Sequence, residues 1–171
     1  MANTIQFEAI PALLQTTPEL LRMLLAALPA DVTRFRPAPG EWCINEVIGH
    51  LIEGEQRGFA GRIRLILAEE HHRCRTWDPD QVARQRGDLE KQSDELLQEF
   101  TNLRKESMAL VLALQPAQLT KRGTHPKIGT LTVSDLLYEW AYHDLNHLKQ
   151  IESNVMAMLW PQMSNAQQFY S

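Results

Sequence analysis

From Val133 to Val155 the chain repeats apolar residues at the three- and four-residue spacing of one helix face, with no proline or glycine to interrupt it. A stripe of that length marks an amphipathic helix whose apolar face has to be covered by other elements. Its start is marked as well. Thr132 followed three residues later by Asp135 is a capping-box-like N-terminus. The helix is expected to run to about Met156, with "LWPQMSNAQQFYS" as a C-terminal tail over 157–171.

Three further stretches supply the partners. The first runs from about Gln6 to Leu28 and is expected to break near Thr17–Pro18. Thr17 would then cap the second half, and Leu20, Leu21, Leu24, Leu25 and Leu28 would form its stripe. The second runs from Ile44 to about Ala68, after the rigid connector "RPAPGEW". The third lies between about Pro79 and Leu114, with Leu89, Leu96, Phe100, Leu103, Leu110 and Leu114 roughly in step. Residues 115–130 form a long non-helical connector with room for one short extended piece. Little else suggests strands. The fold class is therefore all-α: a four-helix bundle with a long crossover connection, in a single domain over 1–171.

Composition narrows the function. A formal net charge of −4 over 171 residues argues against a broad nucleic-acid surface, which needs clustered Lys and Arg. Cys43 and Cys74 lie far apart and in no CxxC spacing, so a disulfide framework is not expected. The first residues lack the pattern of a signal peptide, and no apolar stretch approaches membrane-spanning length. The expectation is a soluble cytoplasmic protein acting on a small molecule, with no nucleic-acid or membrane partner.

The stretch "EWAYHDLNHLKQIE" places His143 and His147 one helical turn apart. Val133, Leu137, Trp140, Asp144, His147, Leu148, Ile151 and Val155 share the broad inward face, with His143 at its edge. Two imidazoles at this spacing can converge on one ion, yet the pair alone also fits one core and one rim histidine. A third ligand must come from elsewhere. His71 and His72 sit in the polar stretch "EEHHRCR" and read as solvated. His125 lies in the 115–130 connector, where it reads first as a solvated loop residue and second as a general acid or base reaching a site. His50 differs, because it flanks the apolar set Ile44, Val47, Ile48, Leu51 and Phe59 of the second helix.

Gly54, Gly58 and Gly61 run beside His50. Each costs about 1 kcal/mol in a helix relative to Ala, so the row calls for close helix approach or for a wall kept open to a ligand. Glu55 and Arg62, seven apart, both fall on the apolar face, and an ion pair between them is the expected reading. Asp144 on the inward face has two readings. It hydrogen-bonds a metal-ligating imidazole, or it pairs with Arg62 or another basic group across the bundle.

"PAPGEWCINEVIGHLIEGE" followed by "GTLTVSDLLYEWAYHDLNHLKQI" resembles the DinB-like (DinB/YfiT-like) metalloenzyme superfamily. The matching positions are Trp42, Ile44, Glu46, His50–Leu51, Gly129, Thr132, His143–Asp144, His147 and Gln150–Ile151. The resemblance implies a four-helix bundle in which His50, His143 and His147 bind one divalent metal; imidazole suits zinc, nickel, iron and copper alike, and zinc is expected first and nickel second. It also implies a homodimer, and an activity among metal-dependent thiol S-transfer, thiol-dependent isomerisation and hydrolysis, with a low-molecular-weight thiol as a candidate cosubstrate. One departure is Cys43 where the family pattern has Ser; a thiol caps poorly, which leaves more of the capping to Glu46. The cavity is expected between the second and fourth helices, lined by the glycine row, Trp140 and the 115–130 connector. The competing class is a non-catalytic metal-binding or stress-response bundle acting through a protein partner. A ferritin-like di-metal site is rejected, because no pair of Glu-x-x-His motifs is present.

Overall fold

The computed structural model describes residues 5–69 and 71–170. Its long helices are α1 (Ile10–Leu25), α3 (Ile44–Glu53) continued by α4 (Ala60–Ala68), α6 (Ser93–Ala113) and α8 (Val133–Leu159). Short helices α2 (Ala30–Thr33), α5 (Pro79–Arg86) and α7 (Pro116–Leu119) connect them. Helix α1 packs on α6 and α8, and α3 packs on the same two, which closes a four-helix bundle. Among the described residues no helix is long and apolar enough to cross a membrane.

The α8 capping box forms as the sequence predicts. The Asp135 N–H donates to Thr132 Oγ1 at 3.0 Å, and the Thr132 N–H donates to Asp135 Oδ2 at 2.8 Å. The helix runs to Leu159, slightly beyond the expected end, and irregular 3-10 turns with a left-handed Ser164 follow over Trp160–Phe169.

Three expectations are corrected. The third helix is not continuous over 79–114. Asp78 caps α5, accepting from the Asp80 and Gln81 N–H groups, and Gly87 ends it in the left-handed region at φ 62°. Secondly, the 115–130 connector holds α7 and a two-stranded antiparallel hairpin, β1 (Arg122–His125) and β2 (Gly129–Thr132), with His125 opposite Gly129. The hairpin is tied to the 72–74 segment, because Thr124 N–H donates to His72 O at 2.8 Å and Cys74 N–H donates to Thr124 O at 2.9 Å.

The third correction concerns α1, which does not break at Pro18. Proline has no N–H for the carbonyl four residues back, so Leu14 O loses its helical donor. Arg104 Nη1 donates to that oxygen instead. Thr17 is released from capping, and its hydroxyl donates to Asp144 Oδ2 at 2.8 Å.

These contacts belong to one polar layer. One apolar cluster gathers Leu14, Phe59, Ile63, Met108, Leu137 and Trp140, and the other gathers Leu21, Ile48, Ile52, Phe100, Leu148 and Ile151. On each long helix a polar residue lies in sequence between the two: Thr17, Glu55, Arg104 and Asp144. Arg104 is 2% exposed; its Nε donates to Glu55 Oε1 at 2.8 Å and its Nη1 to Asp144 Oδ2 at 2.7 Å. Removing it would leave two buried carboxylates facing apolar walls. Arg104→Met is expected to lower unfolding free energy by about 3–5 kcal/mol, read by urea denaturation. A loss below about 1 kcal/mol would mean that the layer is solvated or replaceable.

Candidate metal centre

His50 sits in the last turn of regular α3, just before an irregularity in the backbone of the second helix. Between α3 and α4, residues Gly54–Gly58 form a π-helical turn, closed by the Phe59 N–H donating to Gly54 O at 2.7 Å. A π-turn carries an extra residue per turn, so side chains on either side of it lose their simple helical alignment. This removes the expected Glu55–Arg62 pair. Glu55 turns to Arg104, and Arg62 lies over the Trp77 ring, 5.0 Å from its centre.

The glycine row has mixed reasons. A Cβ on Gly61 would sit 2.1 Å from Gln56 O, a direct clash with the carbonyl that the π-turn pushes out. A Cβ on Gly54 would only touch His143 Cε1 at 3.6 Å, and one on Gly58 would touch Trp77 at 3.8 Å. Of the three, Gly61 is the one that the backbone requires.

His50 on α3 and His143 and His147 on α8 come together. One ring nitrogen from each lies within 4.8 Å of the others, a set that could hold a metal ion. Nε2 of His50 and Nε2 of His143 are 3.0 Å apart. Tetrahedral zinc, with Zn–N of about 2.0–2.1 Å, sets such nitrogens about 3.3 Å apart. The His143 Nδ1 is buried without a hydrogen-bond partner. With its proton on Nε2, Nδ1 is an orphaned acceptor. With its proton on Nδ1, two bare Nε2 lone pairs confront one another whenever His50 is also bare there. A cation between the Nε2 atoms removes that repulsion.

His147 is set by a neighbour one turn on. Its Nδ1 lies 2.8 Å from Gln150 Oε1, an acceptor, so the proton belongs on Nδ1 and Nε2 is bare. Trp42 flanks His50 at 5.0 Å between ring centres, and Phe59 stands edge-on to His143 at 5.0 Å. These walls keep the cluster half-buried. Burial pushes His50 down to about 4, helped by His147. Burial also drives His143 down to about 2, with His147, His50 and Arg104 adding to it. His147 is lowered by burial, against opposing effects of Gln150 and Asp144. All three rings are neutral at pH 7, the form in which a histidine binds metal.

Asp144 does not hydrogen-bond an imidazole. It is anchored by Thr17 and Arg104, which settles its two sequence readings in favour of a basic group across the bundle; that group is Arg104, not Arg62. Arg104 itself was not singled out in the sequence. Its signal was there, four residues after Phe100 in the α6 stripe, where an apolar residue belongs. Cys43 is fully buried, and its thiol is pushed up to about 11 by burial, which fits a packed residue and not a nucleophile. Glu46 does take up the capping: its Oε2 accepts from the Cys43 N–H at 3.0 Å, and Arg36 holds the same carboxylate.

Other histidines are placed apart from the cluster. His72 Nδ1 lies 2.8 Å from Glu69, and neither it nor His71 joins the three. His125 reaches further than a solvated loop residue would. It lines a cavity of about 230 Å³ together with His50, Arg62, Thr76, Trp77, Pro79 and Lys127. The cavity thus opens toward the hairpin and the 76–79 segment. Trp140, expected on its wall, is instead in the core, stacked on Phe59 at 5.4 Å.

The depressed histidines have a sign that can be measured. Unfolded histidines titrate near 6.5, whereas His50 stays neutral to about 4. Below pH 6.5 the unfolded chain therefore binds protons that the folded chain refuses. The metal-free protein is expected to lose stability as pH falls from 6.5 toward 4, by up to about 1.4 kcal/mol per pH unit for each such histidine. Above pH 6.5 this contribution is flat. Urea unfolding of chelator-treated protein at pH 7 and pH 5 reads it, and His50→Gln should make the fall shallower. Equal falls in the two proteins would contradict the neutral, buried state of His50.

Comparison with known proteins agrees with this architecture. A protein of Oceanobacillus iheyensis named "Putative metal-dependent hydrolase" is 23% identical over 82% of this chain and 80% of its own length. A Bacillus licheniformis protein of the same designation is 26% identical over 86% of this chain and 84% of its own. The solved structure of YfiT from Bacillus subtilis superposes with a TM-score of 0.83, covering 94% of this chain and 93% of its own at 19% identity. YfiT is described as "a probable metal-dependent hydrolase with an unusual four-helix bundle topology", and at that identity the likeness is one of fold. The sequence profile of the DinB superfamily matches residues 13–151, which include all three histidines and the whole polar layer. The chain belongs to the DinB superfamily.

Proposed function

We propose that this protein is a metal-dependent hydrolase of a small molecule, with His50, His143 and His147 holding one divalent ion. The observation that carries the reading is the convergence of three neutral ring nitrogens beside a cavity that reaches His50. Three protein ligands leave a coordination position for a reacting group, whereas structural zinc sites close with four. The donor set fits the group: imidazole nitrogen suits zinc, which we take as the resident ion, and nickel next. When bound, such an ion lowers the pKa of a coordinated water or thiol and makes a nucleophile near neutral pH.

The chain's own residues do the rest. Gln150 holds His147 with Nε2 bare. Asp144, clamped by Arg104 and Thr17, fixes the turn of α8 that carries His143. Trp42 and Phe59 limit water around the rings. The names of the relatives favour water as the nucleophile. A low-molecular-weight thiol would turn the same site to S-transfer. The single domain, homodimeric assembly and cytoplasmic location carry over from the sequence as parts of this reading.

The test is an assay of a panel of small esters and amides, with and without added thiol. Turnover is expected to vanish on chelation and return with zinc. His143→Ala should lower it by more than about 100-fold, exceeding the loss from disturbing a residue that only orients a ligand. Turnover by chelated protein, or by His143→Ala at the wild-type rate, would overturn the reading. Dependence on added thiol would assign S-transfer in place of hydrolysis.

A further inference from the structure

We propose that the mouth of the three-histidine site is an anion-binding pocket anchored by Arg62 and flanked by Lys127 and His125, so that the substrate carries a carboxylate or phosphate group. This rests on the hydrolase reading for its meaning, though not for its test.

The cavity beside His50 takes three basic side chains from different parts of the fold: Arg62 from α4, and His125 and Lys127 from the hairpin. Among the described residues no carboxylate lines it. It adjoins a larger cleft of about 550 Å³, with which it shares Arg62, Thr76 and Trp77, and to which Arg75 and Arg57, the latter paired with Glu53, are added; among the described residues no carboxylate lines this cleft either. In a chain whose net charge is −4, this concentration of positive charge is local and against the average.

Arg62 is the group that asks for a ligand. Two other arginines packed into the bundle have acidic partners: Arg104 has Glu55 and Asp144, and Arg86 has Glu53 and Asp88; half-buried Arg34 donates instead to Lys91 O at 3.3 Å and does not line the cavity. Among the described residues Arg62 has none. Its Nε is buried without a hydrogen-bond partner, and Nη2 makes one long bond, 3.4 Å, to Arg75 O. Its guanidinium carbon lies over the Trp77 ring, 5.0 Å from its centre. The cation–π contact holds the guanidinium beside the ring while its Nε has no protein acceptor, and a guanidinium binds an oxyanion through two parallel hydrogen bonds.

His125 adds a donor. Its Nδ1 accepts from the Lys127 N–H at 3.3 Å, so the neutral ring carries its proton on Nε2. Lys127 is exposed at the hairpin tip and supplies charge at the rim. Glu139 on α8 is the acidic group that acts on His125, and it is not part of the cavity wall. A small molecule with its anionic end on Arg62 would have its other end at His50, at a distance set by a cavity of about 230 Å³.

The probes are malonate and inorganic phosphate, with uncharged malonamide as control, titrated by calorimetry into both chelator-treated and zinc-loaded protein. One saturable site is expected in both forms, with no heat from malonamide. Arg62→Gln, checked by circular dichroism and zinc content, should weaken binding by at least about tenfold. Lys127→Gln, on an exposed strand connection, should weaken it by about 2–3-fold and carries the test if Arg62→Gln does not fold. Unchanged affinity in Arg62→Gln, or in Lys127→Gln where that variant carries the test, would overturn the proposal, as would no saturable binding by the wild type. Binding seen only with zinc and indifferent to Arg62 would place the anion on the metal and overturn it too. Failure of the protein to take up zinc would count against the hydrolase reading alone, since the metal-free titration stands by itself.

Discussion

The guanidinium of Arg104 is the point on which the four long helices agree. It sits on α6, reaches α1 through Leu14 O, the π-turn through Glu55 and α8 through Asp144. Pro18 makes room for it chemically by leaving Leu14 O without a helical donor. Thr17, the residue before that proline, then completes Asp144. A buried charge of this kind adds little net stability over apolar packing, but it penalises any arrangement that separates the partners. Sliding one helix by a turn would strand at least one charge between two apolar clusters. The layer thus specifies register, and register is what a site shared between α3 and α8 needs.

The same charge reaches the chemistry. Asp144 is adjacent to His143, and Arg104 helps hold His143 neutral, behind burial and the other two histidines. The π-turn couples to the site from the other side. It commits Glu55 to Arg104, brings Gly54 against His143 and swings Arg62 out to Trp77 at the cavity mouth. Gly61 is required there because a side chain would strike the displaced Gln56 carbonyl. One backbone irregularity therefore serves the packing layer, the histidine cluster and the cationic rim together.

Much of this was legible in the sequence where the signal is periodic or carries its own cap. The α8 face, the Thr132–Asp135 box and the inward side of His147 follow from spacing, and the DinB-like pattern adds His50 to the pair. What was not legible depends on events that spacing does not encode. A π-turn leaves no periodic mark of its own, so regular helical spacing aligns Glu55 with Arg62 where the structure separates them. Pro18 looked like a break because its compensating donor comes from Arg104, 86 residues away. The sequence leaves room for one extended piece in 115–130 but does not show the pairing, because the strands are four residues each and the hairpin is tied to the 72–74 segment. Nor does it show the position of His125, which only that hairpin brings to the cavity.

The central claim is that three histidines from two helices hold one ion. Its most direct test is elemental analysis of protein made without an affinity tag, beside His50→Ala shown to be folded by circular dichroism. The account predicts about one divalent ion per chain in the wild type and its loss in the variant. A folded His50→Ala that keeps a full complement of metal, or a wild type that binds none at any zinc supply, would contradict it.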